Sequence, residues 1–282
     1  MSPSPEPGHD PQENDDGLEA GTVASAPSLE QLERGLAVLQ AFSRQHPSLT
    51  VSDVSRLAGI NRASARRILL TLRNLGHVRS DGRYFSLTPS VLKLGWSYFA
   101  SLGLDEIARP LMGELTKQVD EACSLATLDP PDIVYIAREY GQHHMTVSGG
   151  IGSRLPAHAT AVGRTLLAYM REAEIDDYLE HHRLEAYTSQ TVTDPHAFKD
   201  RLRTITAQGW ALVDQELEIG LRSLAAPIFG SARRPVAAMS ISSNSARTSL
   251  SDLQARCLPP LLKTAESIST ALSRGAGRSA GF

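Results

Sequence analysis

The sequence predicts an α+β protein: an N-terminal winged helix-turn-helix domain, a linker helix, and a C-terminal α/β domain with one curved, mostly antiparallel sheet. Three observations predict this fold. The chain has 282 residues, enough for two domains of about 100–200 residues each. Two short helices joined by a glycine turn are followed directly by a hairpin sequence. Beyond residue 105, strand-like segments occur with few strand–helix–strand repeats, which favours an antiparallel sheet.

The first two helices are predicted from leucine spacing and capping residues. Leucines recur every three or four residues between positions 29 and 39, which predicts a helix that ends near Phe42. Ser28 is a candidate N-cap for that helix. Ser52 is a candidate cap for a short second helix, which ends at Gly59.

The third helix begins near Asn61 and runs to Leu75, with Gly76 as the residue just beyond its end. Apolar residues at helical spacing predict its buried face, which comprises Ala65, Ile68, Leu69, Leu72 and Leu75. Polar and basic residues occupy its first turns. The second and third helices together form a helix-turn-helix.

A hairpin and a linker helix follow. Asp81-Gly82 is a favoured pair for a two-residue type I′ turn. The flanking strands carry Val78, Tyr84, Phe85 and Leu87. The next helix begins at Thr88-Pro89-Ser90, because proline suits the first helical position.

The remaining segments alternate between helical and strand-like patterns. Helices are predicted at Ile107–Val119, Thr160–Met170, Glu172–His181, Ala197–Gln208 and Leu250–Leu272, the last interrupted near Pro259-Pro260. Strands are predicted at Cys123–Leu128, Ile133–Arg138, Met145–Ser148, Trp210–Asp214, Leu224–Phe229 and Val236–Ser242. The predicted organisation is a disordered acidic leader (1–27), the winged helix-turn-helix domain (28–89), the linker helix (90–104), the C-terminal domain (105–273) and a flexible tail (274–282).

Charge is distributed unevenly along the chain. Residues 1–33 contain eight acidic groups and no Lys or Arg, and residues 34–102 contain ten basic groups and two acidic ones. Residues 103–282 carry a net charge of −3, and the whole chain also has a net charge of −3 because the first two segments cancel. The basic segment coincides with the predicted helix-turn-helix, which indicates a polyanionic partner for that domain alone.

Double-stranded DNA is the partner that this combination favours. The start of a recognition helix enters the major groove, where Arg bonds guanine edges and Ser or Asn bonds bases or phosphates. The candidate contacts are Ser52, Asn61, Arg62, Ser64, Arg66, Arg67 and, at the wing, Arg83. Each has a structural alternative: a solvated helix face for the arginines, pairing with a neighbour for Arg66, and helix capping for Ser52.

Several long segments together resemble the IclR family of transcription regulators. They are LERGLAVLQAF, SRLAGINRASARRILLTLRNLGHVR, DGRYFSLTPSVLKLG, GSRLPAHATAVGRTLLA, GWALVDQELEIGLRSLAAPIF and VAAMSISS. The resemblance covers nearly all of residues 28–273. Within the family, the sequence is most similar to the branch that controls aromatic-acid catabolism through the β-ketoadipate pathway. It implies a GAF-like effector domain, a homodimer that often pairs into a tetramer, and a pseudo-palindromic operator.

The resemblance also implies an effector site for a small carboxylic acid. Small residues at a helix start give a carboxylate access to unpaired backbone N–H groups. The serine hydroxyls and the Asp214 carboxylate can hydrogen-bond to the hydroxyl or oxo group of such an acid. The implied effector residues are Ala161, Val162, Gly163, Asp214, Ser223, Ala225, Met239, Ser240 and Ser242. The structural alternatives are close helix–sheet packing for the small residues and a satisfied buried network for the polar ones.

Other classes of function find less support. The sequence has no GxSxG, HExxH, P-loop or GxGxxG motif, and no CxxC pair, so we expect no catalytic residue, metal or cofactor. No apolar run is long enough for a membrane helix, and the first residues have neither the basic nor the apolar region of a secretory signal, so a cytoplasmic location is expected. Two alternatives stay open: an enzyme acting on a small aromatic or oxo acid with a winged-helix interaction module, and a ligand-blind structural DNA-binding protein.

Overall fold

The computed structural model describes residues 29–43, 45–142, 149–230 and 234–279. The chain divides between Leu94 and Gly95 into two compact units. The candidate cap Ser28 and the predicted strand Met145–Ser148 lie outside the described residues.

The N-terminal unit is a three-helix domain with a short hairpin. Its elements are α1 (Glu30–Gln40), α2 (Val51–Leu57), α3 (Arg62–Asn74), β1 (Val78–Ser80) and β2 (Phe85–Leu87). A single antiparallel bridge joins Leu49 to Phe85 beside the hairpin. One apolar core binds the elements together, consisting of Val38, Phe42, Leu49, Val54, Ala65, Leu69, Leu72, Val78 and Phe85. The predicted helix-turn-helix with a wing is therefore confirmed.

Thr50, not Ser52, caps the second helix. The Thr50 hydroxyl accepts from the backbone N–H of Asp53 at 3.3 Å, and the Asp53 carboxylate accepts from the Thr50 N–H at 3.0 Å. This reciprocal pair is a capping box, and its hydrogen bonds from Thr50 lower the pKa of Asp53. Ser52 lies inside the first turn of α2 and is exposed.

The wing loop differs from the predicted two-residue type I′ turn. Ser80 pairs with Phe85, so the loop contains four residues. A type I′ turn requires positive φ at both central positions. Gly82 has a φ of +103°, but Asp81 is not among the described residues with positive φ. The Asp81 carboxylate instead accepts from the N–H groups of Arg83 and Tyr84, at 3.0 and 2.7 Å.

Two helices follow the wing. Thr88 caps a single 3-10 turn, Pro89–Val91, by accepting from the Ser90 N–H, and α4 (Leu92–Leu102) continues from it. The linker helix predicted from Thr88-Pro89-Ser90 is thus present. Gly103, with a φ of +58°, separates α4 from α5 (Leu104–Val119).

The C-terminal unit is built on one six-stranded sheet. Its strands are β3 (Ala122–Asp129), β4 (Asp132–Glu139), β5 (Arg154–Pro156), β6 (Ala211–Asp214), β7 (Leu221–Phe229) and β8 (Pro235–Asn244). The spatial order is β5-β4-β3-β8-β7-β6, and every described neighbour pair is antiparallel. The predicted antiparallel sheet is confirmed, with β5 as a strand that the sequence patterns did not reveal.

Helices cover both faces of this sheet. Helices α5 and α9 (Leu250–Ser279) pack on one face, in a core that includes Cys123, Leu224, Met239, Ile241 and Cys257. Helices α6 (Ala161–Leu167), α7 (Glu172–His181) and α8 (Pro195–Gln208) pack on the other, in a core that includes Tyr135, Val162, Phe198, Val213 and Ala225. Both cysteines are free and buried, and burial raises the pKa of the Cys123 thiol to about 12.

The closing helix α9 runs without interruption through Pro259 and Pro260, contrary to the sequence prediction. An interior proline removes a backbone hydrogen bond and clashes with the preceding turn. Packing against the sheet outweighs that cost, because one stripe of α9 is wholly or almost wholly buried: Leu253, Cys257, Leu261, Ala265 and Ile268.

Candidate functional site

Helix α3 presents a basic outer face. Arg62, Arg66 and Arg67 in its first two turns are exposed, as is Arg73 near its end, and within the described chain none of them forms an ion pair. The structure therefore does not support the pairing considered for Arg66. The opposite face is buried in the domain core through Ala65, Leu69 and Leu72.

Two other predicted contacts on α3 have structural roles. The Asn61 side-chain oxygen accepts from the Ser64 N–H at 2.8 Å, so Asn61 is the N-cap. Ser64 is only 5% exposed. Leu75, predicted on the buried face, is exposed instead, because it lies beyond the last helical turn.

The wing tip contributes one further cation. Arg83 is exposed, and its guanidinium lies 5.3 Å from the centre of the Tyr84 ring, which is also exposed. A guanidinium over an aromatic face is held in place by cation–π attraction and still offers its N–H groups to solvent.

The C-terminal unit contains a small cavity at the start of α6, here named the α6 cavity. It is lined by Ile133, Tyr135, Ala159, Thr160, Ala161, Val162, Val213, Leu217, Leu221, Ser223, Ser240 and Ser242. Its free volume is about 20 Å³, roughly the space for one water-sized group. A larger ligand must therefore separate the walls, which are the α6 start, the sheet and the segment between β6 and β7.

The α6 start is shaped by Thr160 and Gly163. The Thr160 hydroxyl caps α6 by accepting from the Gly163 N–H at 3.1 Å. This cap does not use the N–H groups of Ala161 and Val162, the first two residues of the helix. The Gly163 N–H is therefore not the anion donor that was predicted. A Cβ at Gly163 would lie 2.1 Å from the carbonyl oxygen of Ala157, so glycine is required for α6 to pack against the preceding turn.

Three serines line the sheet side of the α6 cavity. Ser223 and Ser242 are directly opposite each other on β7 and β8, and their hydroxyl oxygens are 3.0 Å apart. Ser240 is only 4% exposed, and its hydroxyl has no hydrogen-bond partner within the described chain. These hydroxyls retain donor and acceptor capacity for a ligand.

Two predicted effector residues face away from this cavity. Asp214 follows the cavity residue Val213 along β6, and its carboxylate accepts from Arg222 Nε at 2.7 Å. Met239 precedes Ser240 along β8 and is buried in the core under α5 and α9. Successive strand residues point to opposite faces, so neither reaches the cavity.

Ala225 lies on the cavity side of the sheet but packs into the core beside the cavity and does not line it. Two nearby arginines, Arg154 and Arg222, are also engaged elsewhere. Arg154 bonds Asp129 and Asp132, and Arg222 bonds Asp214 and the Thr248 carbonyl.

Sequence reasoning missed a buried ion pair beside the α6 cavity. Arg164, only 1% exposed, donates from both terminal guanidinium nitrogens to the two carboxylate oxygens of Glu216. Its Nε donates to the His158 carbonyl at 2.6 Å. The signal in the sequence was the one charged residue in the helix AVGRTLL, whose other residues are small or mostly apolar and therefore expected to be buried. A buried charge needs a partner, so an ion pair could have been anticipated.

This pair connects the two walls of the cavity. Arg164 is on α6, whose first residues line the cavity, and Glu216 precedes the lining residue Leu217. Glu216 also accepts from the Val192 N–H at 2.9 Å, and its carbonyl accepts from the Thr191 hydroxyl at 2.6 Å. The segment between β6 and β7 is thus held against α6 and the loop before α8.

The histidines do not assemble a metal site in the described part of the chain. No group of three or more His, Cys, Asp or Glu side chains there has the proximity that a metal ion requires. His143 and His144 lie outside the described residues. His158 is buried, its ring bonds the Glu185 carbonyl, and burial lowers its pKa, which favours the neutral form.

Comparison with known proteins decides the family. Residues 31–82 match the IclR helix-turn-helix domain, and residues 96–270 match the C-terminal domain of the bacterial transcriptional regulator IclR. This chain belongs to the IclR family of transcription regulators. The predicted resemblance and fold class are confirmed. No helix in the described part of this IclR-family regulator is long and apolar enough to span a membrane.

Individual relatives agree with this assignment. The Pca regulon regulatory protein of Pseudomonas putida is 43% identical over 82% of this chain and 80% of its own length. The p-hydroxybenzoate hydroxylase transcriptional activator of Acinetobacter baylyi is 35% identical over 84% of this chain and 89% of its own length. A crystal structure of a transcriptional regulator from Rhodococcus sp. RHA1 superposes with a TM-score of 0.78, at 44% identity, over 88% of this chain and 99% of that one.

Proposed function

We propose that this IclR-family regulator acts in the cytoplasm as a homodimer, or a pair of dimers, whose DNA binding is controlled by a small carboxylic acid of aromatic catabolism. The observation that carries the proposal is the α6 cavity, which is lined by the first two residues of α6 and by three serines, in a chain with a basic recognition helix. The named roles of the relatives in Pca and p-hydroxybenzoate regulation support the effector class.

The proposed DNA-binding surface is the outer face of α3 with the wing. Arg62, Arg66 and Arg67 are exposed and free of ion pairs in the described chain, so binding DNA breaks no internal interaction. Arg83 extends the surface to the wing tip. Ser52 is exposed near the start of α2, where it can reach a DNA phosphate. Asn61 and Ser64 instead form the N-cap hydrogen bond of α3.

Arg67→Ala is expected to weaken operator binding by about 1–3 kcal/mol, because one bidentate contact to a base edge is lost. A gel-shift or fluorescence titration against a pseudo-palindromic operator measures this. Wild-type affinity should also fall steeply with salt, since arginines displace condensed counterions. Arg203→Ala, at an exposed position in the C-terminal unit, is the matched control and should bind like wild type. Unchanged affinity for both Arg62→Ala and Arg67→Ala would refute the recognition-helix assignment.

Exposed apolar side chains on α1 and α4 support the proposed dimer. Leu32 and Leu36 are exposed on α1, and Leu92, Leu94 and Trp96 on α4, with Trp96 at 68%. Exposed apolar patches of this kind usually mark interaction surfaces. A second copy is the partner we propose, because reading two half-sites requires two recognition helices.

Trp96→Asp is expected to weaken self-association, because a charge would be buried against apolar side chains in the dimer. Light scattering at micromolar concentration should give a wild-type mass of at least two chains and a lower mass for the variant. Tyr187→Asp, on an exposed aromatic residue in the C-terminal unit, is the control. A stable wild-type monomer would refute the two-half-site arrangement.

The effector candidates are protocatechuate, 4-hydroxybenzoate and β-ketoadipate. Each has a carboxylate for the N–H groups of Ala161 and Val162, supported by the positive end of the helix dipole. Each also has hydroxyl or oxo groups for Ser223, Ser240 and Ser242. The ligand regulates DNA binding if it binds one arrangement of the regulator more tightly than another.

Ser242→Ala is expected to weaken effector binding by about 0.5–1.5 kcal/mol, the usual net contribution of one neutral hydrogen bond. Isothermal calorimetry with the three acids measures it. Ser267→Ala, an exposed serine on α9, is the control and should leave the affinity unchanged. If wild type binds none of the acids, or if Ser242→Ala and Ser240→Ala bind as tightly as wild type, the α6 cavity is not the effector site.

A further inference from the structure

An open groove lies between helices α1 and α3 of the N-terminal unit, here named the α1–α3 groove. Its volume is about 320 Å³, within the range of roughly 300–1,000 Å³ that is typical of ligand pockets. Gly35 lines it, and apart from its own helix backbone no described atom lies within 4 Å of the position that a Cβ would occupy there. An occupant therefore need not separate the two helices.

The groove combines apolar side chains with two cations. Ile68 and Leu72 line it, and Leu72 is buried. Arg67 is exposed and Arg34 is half-buried along the same groove. Arg34 bonds Glu30, whereas Arg67 forms no ion pair within the described chain. None of the described lining residues is acidic. An occupant that places carboxylates beside an apolar side chain matches this lining.

The acidic leader, residues 1–27, contains such a sequence. It has six carboxylates and no Lys or Arg. Three of the carboxylates surround Leu18 in the sequence DDGLE, here named the DDGLE segment (Asp15–Glu19). The other three lie within residues 2–14, which contain no Leu, Ile, Val or Phe. The DDGLE segment is therefore the part of the leader that offers both an apolar anchor and negative charge.

The leader joins the chain at one end of the groove. Helix α1 begins at Glu30, and Gln31 in its first turn lines the groove. Glu19 precedes Glu30 by 11 residues. An extended chain of that length spans up to roughly 35–40 Å, whereas α1 itself is only about 16 Å long. The DDGLE segment can therefore reach every part of the groove, and a short tether gives it a local concentration in about the millimolar range.

We propose that the DDGLE segment binds the α1–α3 groove of the same chain, with Leu18 on the apolar side chains and the carboxylates at Arg34 and Arg67, and that it competes with DNA. Arg67 belongs both to the groove and to the proposed DNA-binding surface, so the two occupants exclude each other at this side chain. The competition rests on the proposed DNA-binding function, whereas the docking of the segment does not.

Two triple variants of the full-length chain, with equal losses of charge, test the competition. The first changes the DDGLE segment: Asp15→Asn, Asp16→Asn and Glu19→Gln. The control changes the other carboxylates of the leader: Glu6→Gln, Asp10→Asn and Glu13→Gln. For a fluorescently labelled random-sequence DNA duplex at low salt, we expect the first variant to bind at least about fivefold more tightly than wild type and the control less than about twofold. Equal gains would indicate diffuse repulsion of DNA by the leader and would overturn docking in the groove.

Leu18→Ser tests the apolar anchor without changing any charge. We expect this variant to bind the same duplex about threefold more tightly than wild type, because the segment loses its contact with the apolar side chains of the groove. Val23→Ser, outside the DDGLE segment, is the control and should bind like wild type. An affinity of Leu18→Ser equal to that of Val23→Ser would overturn the proposed anchor.

A disulfide cross-link reports docking without DNA. Thr71 lines the groove, whereas Ser52 is exposed on α2 outside it, and both native cysteines are buried. Under mild oxidation, Gly17→Cys with Thr71→Cys should form an intrachain disulfide at least about fivefold faster than Gly17→Cys with Ser52→Cys. Mass spectrometry and a non-reducing gel detect the product.

The outcomes of the cross-link separate the two proposals. Equal rates for the two cysteine pairs would overturn docking, even if the wild-type chain binds DNA normally. A covalent dimer would place the segment in a second copy and overturn the same-chain occupant. A fast intrachain cross-link in a protein that does not bind DNA would support the docking and refute both the competition and the proposed DNA-binding function.

Discussion

Replacing Glu216 by alanine is expected to destabilise the C-terminal unit by about 3–5 kcal/mol, because the buried Arg164 guanidinium loses the carboxylate that neutralises it. The change also removes the acceptor for the Val192 N–H. Urea denaturation followed by circular dichroism measures the loss. The effect should be large because the pair is almost wholly excluded from water, with side chains 2% and 11% exposed.

Two comparisons sharpen this prediction. Glu218→Ala, two residues away in the same segment and exposed, should change the stability by less than about 0.5 kcal/mol. The double substitution Arg164→Met with Glu216→Leu should be more stable than Glu216→Ala alone, because no unpaired charge is left inside. If Glu216→Ala is as stable as Glu218→Ala, Arg164 is neutralised by another group and the pair does not connect the cavity walls.

Gly163→Ala is expected to destabilise the protein by about 3 kcal/mol and to abolish effector binding. The added Cβ would lie 2.1 Å from the backbone oxygen of Ala157, so α6 must move away from the preceding turn. That movement displaces Ala161 and Val162, the proposed carboxylate donors. Thermal unfolding and calorimetry with 4-hydroxybenzoate report the two losses separately.

A second glycine in a helix provides the control. Gly113 in α5 has no heavy atom within 4 Å of the position that a Cβ would occupy. Gly113→Ala should therefore stabilise the protein by about 0.4–1 kcal/mol, since alanine reduces the freedom of the unfolded chain. A Gly163→Ala variant with wild-type stability and wild-type effector affinity would show that the close approach to Ala157 has no role in building the cavity.

The local sequence determined those features that depend on residues close together in the chain. Leucine and alanine spacing gave α1 and α3, a basic first turn marked the recognition helix, and two-residue alternation placed Ser240 and Ser242 on the same side of β8. The same alternation is sufficient to exclude Met239 from their cavity, because it is an odd number of residues from both serines.

Tertiary structure alone decided the features that depend on distant partners. Alternation along β6 does not say which face Asp214 occupies; the sheet register does, by placing Asp214 opposite Arg222. Glu216 is 52 residues from Arg164, so no local pattern connects them. Helix α9 continues through two prolines because burial of its apolar stripe against the sheet outweighs a local penalty. Short-range periodicity specifies elements and faces, whereas pairing, register and burial become fixed only when the whole chain packs.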